Sequence, residues 1–265
     1  MREILTEIYH RDKVLAIAGW MQILLLVVML CVAPFDSRTV TGLNAWVKPL
    51  KFAASIGLYL WTLAWFIAYV PKPRWGVQLI RWGVAIVMTI EMACIVLQAA
   101  RGTTSHYNVA TSFDARMFQT MGIMIVINSL LVLMLLILFF IQRIEIPRAY
   151  LWGIRLGLFL FLLAGAEGGI MIANRAHTVG LADGTAGLPL VNWSTRGGDL
   201  RIAHALGLHA LQLLPLAGYA ISLWKRNLSQ NRPVAYLMVF ALIYVAVAAL
   251  LFWQAMSGRP LIPFT

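Results

Sequence analysis

Two carboxylates lie inside apolar runs, Glu91 in Ile90-Glu91-Met92-Ala93-Cys94 and Glu167 in Ala164-Gly165-Ala166-Glu167-Gly168-Gly169. A carboxylate in hydrocarbon is costly unless it has a partner and a task. A third ionisable group, His209, occupies a similar run, with Gln212 three residues on. Glutamate oxygens with an imidazole form a donor set suited to zinc, iron or manganese. Glu91, Glu167 and His209 are therefore candidate ligands of a divalent metal that would neutralise the carboxylates and activate water. The same three side chains are also the candidate catalytic acid and base groups, with or without a metal.

Around this core stand residues suited to orienting and binding. Asn128 and Gln212 supply amides at a similar depth, while His106, Asp199, Arg201 and His204 fall near the ends of the apolar runs, where they would line the mouth of a pocket. His204 and His209 are five residues apart. On a regular helix that separates them by about 140°, so the two cannot converge on one ion without distortion.

These residues are positioned by a chain that is 61% hydrophobic and only 12% charged. A water-soluble domain carries about 25% charged residues. The expected class is therefore all-α, a polytopic membrane protein. A bridge-forming cysteine pattern is absent, because Cys31 and Cys94 both fall in apolar runs and read as buried structural thiols. The net charge of +11 does not indicate nucleic acid, since Lys and Arg cluster at the ends of the apolar runs, where they anchor to headgroups. The partners implied are the lipid bilayer and a small-molecule or lipid-like ligand, and the expected location is a bacterial cytoplasmic (inner) membrane. Oligomeric state is not encoded in any of these patterns.

A membrane-spanning helix needs about 20 mostly apolar residues. Seven stretches qualify, at 14–34, 50–70, 76–100, 118–142, 150–174, 201–224 and 234–257, in one bundle without a separate soluble domain. With the N-terminus inside and the C-terminus outside, the inner side carries twelve Lys and Arg, among them Lys72, Arg74, Lys225 and Arg226, against nine on the outer side. The inner connections are also the short ones, where this bias is most informative. The outer connections 35–49, 101–117 and 175–200 are longer, and long ordered loops tend to be lids or binding loops.

Counted from the outer ends, Glu91, Glu167, His209, Gln212, Asn128 and Thr62 all fall roughly 12–18 Å deep at about 1.5 Å per residue. That shared depth predicts a polar layer in the outer half of the membrane, walled by the second to sixth spans and covered by the 175–200 loop. Gly165-x-x-x-Gly169 predicts close approach of a neighbouring helix beside Glu167. Pro215 predicts a kink near Gln212. The third and fifth spans also echo one another: Glu91, Gln98 and Arg101 match Glu167, Asn174 and Arg175.

Three chemistries follow from this layer. A metal-dependent membrane enzyme acting on an amphipathic or lipid-like substrate is the leading expectation. A proton- or cation-coupled carrier of small solutes is the first alternative, with the buried carboxylates as the coupling groups. A haem redox protein with His209 as an axial ligand is the second, although a second equally deep histidine is absent. In outline the chain is also similar to the CREST-type seven-helix membrane hydrolases, with Ser105-His106 and His204/His209 in the places of that family's Ser/His and paired-His elements. The loop position of His106 and the five-residue histidine spacing depart from that pattern, and membership is not read from them.

Overall fold

The computed structural model describes residues 2–71, 74–184, 187–224 and 231–263. Lys72, Lys225 and Arg226, which entered the charge count, lie outside the described residues. The described chain is helical: α1 (Arg2–Arg11), α2 (Lys13–Val32), α3 (Val47–Ile67), α4 (Arg74–Ala100), α5 (Ser112–Ile141), α6 (Arg148–Asn174), α7 (Leu200–Trp224) and α8 (Asn231–Met256). The seven from α2 to α8 are long and apolar enough to cross a membrane. Two short antiparallel pairs complete it, β1 (Thr39–Val40) with β2 (Leu43–Asn44), and β3 (Thr178–Val179) with β4 (Gly198–Asp199). The backbone forms two compact units, Met1–Leu135 and Leu136–Thr265, with the division inside α5.

In the first unit the charged start of the chain folds as a separate helix, α1, which packs on α2 and α3 through the buried Ile8. The Arg11 guanidinium lies 3.9 Å over the Trp65 ring and 4.9 Å over that of Tyr69. Each such contact contributes roughly 0.5–1 kcal/mol at an exposed site. Asp12 ends α1 and caps α2, accepting from the backbone N–H of Leu15 at 3.0 Å. Its other oxygen accepts from Nε of Arg81 on α4 at 2.5 Å, and its side chain is fully buried. One carboxylate thus joins the α1–α2 corner to α4. At the opposite end, α5 starts at Ser112 rather than at the expected residue 118. Thr111 and Asp114 form a capping box: Thr111 Oγ1 accepts from the Asp114 N–H at 3.1 Å and donates to Oδ2 at 2.6 Å.

In the second unit α6 and α7 run antiparallel along a seam of small residues. A Cβ placed on Gly153 would come within 2.5 Å of the Leu214 carbonyl oxygen, and one on Gly157 within 2.8 Å of that of Ala210. Gly218 faces the Ala149 carbonyl in the same way, and Gly207 faces the methyl group of Ala164. Without side chains between them the two backbones touch directly. The close approach expected beside Glu167 occurs through Ala164 and Gly168, whereas a Cβ on Gly169 would meet open space. Pro215 is accommodated within one continuous α7 and packs against Gly153 and Gly157. α8 closes the unit through Ala241 and Tyr244, which pack on Ala210 and Leu214, and the Tyr244 hydroxyl donates to the Leu206 carbonyl at 2.5 Å.

Two outcomes check these packing arguments by denaturation in detergent. Gly153→Ala should destabilise by about 1–3 kcal/mol, the usual penalty of overpacking, whereas Gly169→Ala should be neutral or stabilising by up to about 1 kcal/mol. Equal effects would contradict the seam. Asp12→Ala should lose about 2–4 kcal/mol, combining a cap with a charge-assisted hydrogen bond. Asp12→Asn, which keeps the cap, should lose less.

Candidate functional site

In the first unit, α4 carries Glu91 into the protein. The residue is 2% exposed, and its Oε2 has no hydrogen-bond partner among the described residues. One turn further along α4, Cys94 and Ile95 pack with Met121, Met117 and Phe52, an apolar cluster on the path toward the helix end. Lys48, in the first turn of α3, is close enough for its charge to act on Glu91 through space. Its Nζ is 3.1 Å from Nδ1 of His106, and Ser105 Oγ is 3.0 Å from the same nitrogen. An ammonium group can only donate, so Nδ1 must accept, which puts the ring proton on Nε2.

Aromatic rings enclose this contact. The His106 ring lies 5.8 Å from Phe52, 6.1 Å from Tyr107 and 6.4 Å from Phe118. Lys48 Nζ also lies 5.9 Å from the Phe52 ring. The loop is held in shape by Asn108, which donates to Thr103 Oγ1 and the Thr104 carbonyl and accepts from the Ala110 N–H. Tyr107, at φ +58°, takes the left-handed conformation that lets the chain turn between His106 and Asn108.

A second polar group lies at the same end of the unit. Gln98, fully buried, donates to Asp114 Oδ1 at 2.9 Å, and Arg101 donates both to that oxygen and to the Gln98 carbonyl oxygen. Arg38 donates to both Asp36 oxygens and to the Ala100 carbonyl, tying the β1–β2 hairpin to the end of α4. Side-chain and backbone hydrogen bonds from Arg38, with another from Trp46, hold the Asp36 carboxyl well below the usual carboxylate range. Asn128, expected to orient Glu91, instead accepts from the Tyr59 hydroxyl at 2.8 Å. Thr62 donates to the Leu58 carbonyl of its own helix.

In the second unit, Glu167 is half-buried on α6 and its Oε2 has no hydrogen-bond partner among the described residues. His204 faces α6: its Nδ1 lies 2.7 Å from the Ala164 carbonyl oxygen, so it donates there, and its ring borders Gly168. His209 is exposed on α7, and Gln212 is half-buried. The five-residue spacing has the effect anticipated for it, since only one of the two histidines turns toward α6. Asp199 and Arg201 are structural partners. Asp199 is fully buried, accepts from the Ser194 N–H at 2.8 Å, and binds Arg201 Nε at 2.9 Å. Arg201 also donates to the Asn192 carbonyl, so this pair clamps the end of the 175–200 loop onto α7.

The other end of that loop closes on Asp183. Its oxygens accept from the backbone N–H groups of His177 and Thr178, from Thr178 Oγ1 at 2.6 Å and from the His177 ring at 2.7 Å. Burial alone would raise this carboxyl, but the hydrogen bonds from His177 and Thr178 outweigh it and hold the group well below the usual range.

Among the described residues no three His, Cys, Asp or Glu side chains are gathered so that they could hold a metal ion. Nor is the echo between spans functional in kind. Gln98 and Arg101 bind Asp114, whereas Asn174 and Arg175 are exposed where α6 ends, with Arg175 in a left-handed conformation at φ +50°. Lys48 contacts the His106 ring rather than standing only as a headgroup anchor. Its place beside Pro49 at a span end matched a headgroup anchor, and no periodicity indicates that it turns inward. Comparison with known protein families, with curated proteins and with solved structures finds no match for this chain.

The Asp183 hydrogen bonds give a pH expectation. A carboxyl with a depressed folded value contributes stability that is complete above its unfolded value of about 3.9 and lost only below it. Protection factors of the His177 and Thr178 amides should therefore hold steady from pH 7 to about 4. They should fall at every pH in Asp183→Asn, and unchanged protection there would refute the role of this carboxylate.

Proposed function

We propose that this protein is a proton- or cation-coupled carrier of small solutes, set in a cytoplasmic membrane with its N-terminus inside. The observation that carries this reading is the buried Glu91 with a carboxylate oxygen unpartnered among the described residues, in the field of a Lys48 that reaches His106 and Ser105 in the loop. An intramembrane carboxylate of this kind is a recurring coupling group. Metal-assisted catalysis, the leading expectation from residue types, has less support, because a shared ion needs converging ligands and none converge among the described residues.

The chemistry follows from which groups can donate. While Lys48 is charged, His106 accepts from it at Nδ1. A proton arriving at Nδ1 makes that nitrogen a donor and ends the contact, because two donors cannot pair. The charge of Lys48 then acts more fully on Glu91. Conversely, a proton on Glu91 removes the negative charge that attracts Lys48. A solute cation approaching from the loop end competes with Lys48 for the same carboxylate, so proton and solute exclude one another at Glu91. This mutual exclusion at Glu91 requires only local rearrangement of one lysine and one imidazole.

The test uses full-length protein in liposomes loaded with a pH-sensitive dye and challenged with sodium, potassium and a panel of small organic amines. At least one member should drive proton movement. Glu91→Gln should slow it by about 100-fold, the scale of a lost acid–base group, while still folding, and Lys48→Arg should retain more activity than Lys48→Gln. Solute uptake that depends on neither a proton nor a sodium or potassium gradient, or a Glu91→Gln variant at the wild-type rate, would reject the proposal.

A further inference from the structure

A cavity of about 490 Å³ opens between the first turns of α6 and α8, at the end of the second unit opposite the 175–200 loop. Its volume falls in the range of about 300–1,000 Å³ typical of small-ligand sites. Arg148, Trp152 and Arg155 of α6 form one wall, with Leu151 beside them, and Asn231 and Val234 of α8 form the other. Arg148 and Arg155 are seven residues apart, two turns along one helical face.

The two arginines are held differently. Arg155 donates through Nε and Nη2 to the Phe139 carbonyl at 3.0 and 2.7 Å, and its guanidinium lies 4.7 Å over the Phe140 ring and 5.1 Å over that of Trp152. The carbonyl is one that the end of α5 leaves without a helical partner. These contacts fix the orientation of Arg155 but leave its charge uncompensated, because a carbonyl is neutral. Arg148 is exposed and makes one long hydrogen bond, 3.3 Å to Asn231 Oδ1. Among the described residues no carboxylate lines the cavity. Glu145, nearby in sequence, is exposed and lies 3.7 Å from Arg143 instead.

Two positive charges, one locked and one adaptable, therefore face an opening to which the described residues bring no negative charge. Arg155 sits about 10 Å along the helix from Arg148, at 1.5 Å per residue, and Leu151 and Val234 give the space between an apolar lining. Guanidinium groups bind phosphate oxygens in forked hydrogen bonds. Basic pockets between membrane-spanning helices suit anionic lipid headgroups. We propose that this cavity binds the phosphate headgroup of an anionic phospholipid, with Arg148 and Arg155 on the phosphate and an acyl chain lying along Leu151 and Val234. The site is separate from the Glu91 group and does not depend on the carrier reading.

Native mass spectrometry of the delipidated full-length protein tests it, with phosphatidylglycerol and phosphatidylcholine of matched chains titrated in turn. One phosphatidylglycerol should be retained in preference to phosphatidylcholine. Arg148→Gln, whose side chain lies outside the packed core, should reduce that preference about fivefold, the effect of one surface arginine on an anionic lipid. Arg155→Lys, which keeps the charge but loses the forked geometry, should reduce it to a smaller extent. Equal retention of the two lipids, or an Arg148→Gln variant with the wild-type preference, would overturn the proposal. Displacement of the lipid by millimolar inorganic phosphate would also overturn it, in favour of a soluble anion.

Discussion

A polar group set against hydrocarbon must bring its own partner, and most of this structure follows from that constraint. The spans satisfy their backbones internally, so the charged side chains are pressed toward the helix ends and paired there. Asp12 takes Arg81, Asp114 takes Arg101 and Gln98, and Asp199 takes Arg201. Even Arg155, one of the deeper cations, is anchored to a carbonyl freed by the end of a neighbouring helix. Glu91 and Glu167 stand out because each keeps an oxygen that this pairing leaves out among the described residues. The two differ in context: Glu91 has a cation within reach of its field, while Glu167 is bordered by glycines.

The same carboxylates also do the work of loop construction. Asp36, Asp114, Asp183 and Asp199 each gather several donors from a short stretch of chain, and each lies at or beside a connection between spans. Of the ten acids in the chain, all five aspartates are assigned to a turn or a cap. Hydrogen bonds to these aspartates thus fix the ends of the long connections, beside the burial of Ala45 and Trp46. β1–β2 and β3–β4 are short for the same reason: once the aspartates have fixed the loop ends, two residues of pairing suffice.

Span number and position were legible because a run of about 20 apolar residues has few alternative fates. The exceptions have local causes. α1 was hidden by its mixture of charges, although Leu5 and Ile8 already repeat at helical spacing. The early start of α5 was written in Thr111-x-x-Asp114, a capping signal that an apolarity count passes over. The candidate site was legible only in part. Depth counting found Glu91, but depth along an axis does not tell which way a side chain turns, so Asn128 went to Tyr59 and His209 to the exposed face. Lys48 could not be found by depth at all. It reaches inward from a helix end, where its type and position match a headgroup anchor. Glycine pairs misled for a related reason: the i, i+4 pattern occurs at both 153/157 and 165/169, and only packing reveals which one meets another helix.

The seam between α6 and α7 has a mechanical meaning. Helices that interlock through long side chains can slide by exchanging rotamers, with small changes at many contacts. Here glycine meets backbone at Gly153, Gly157 and Gly218, and Gly207 meets only the methyl group of Ala164, so no long side chain is available to yield. The pair should consequently move as a single lever, so that displacement of one helix end carries His204 and Glu167 together. Any working motion of this unit should then leave the α6–α7 pair intact.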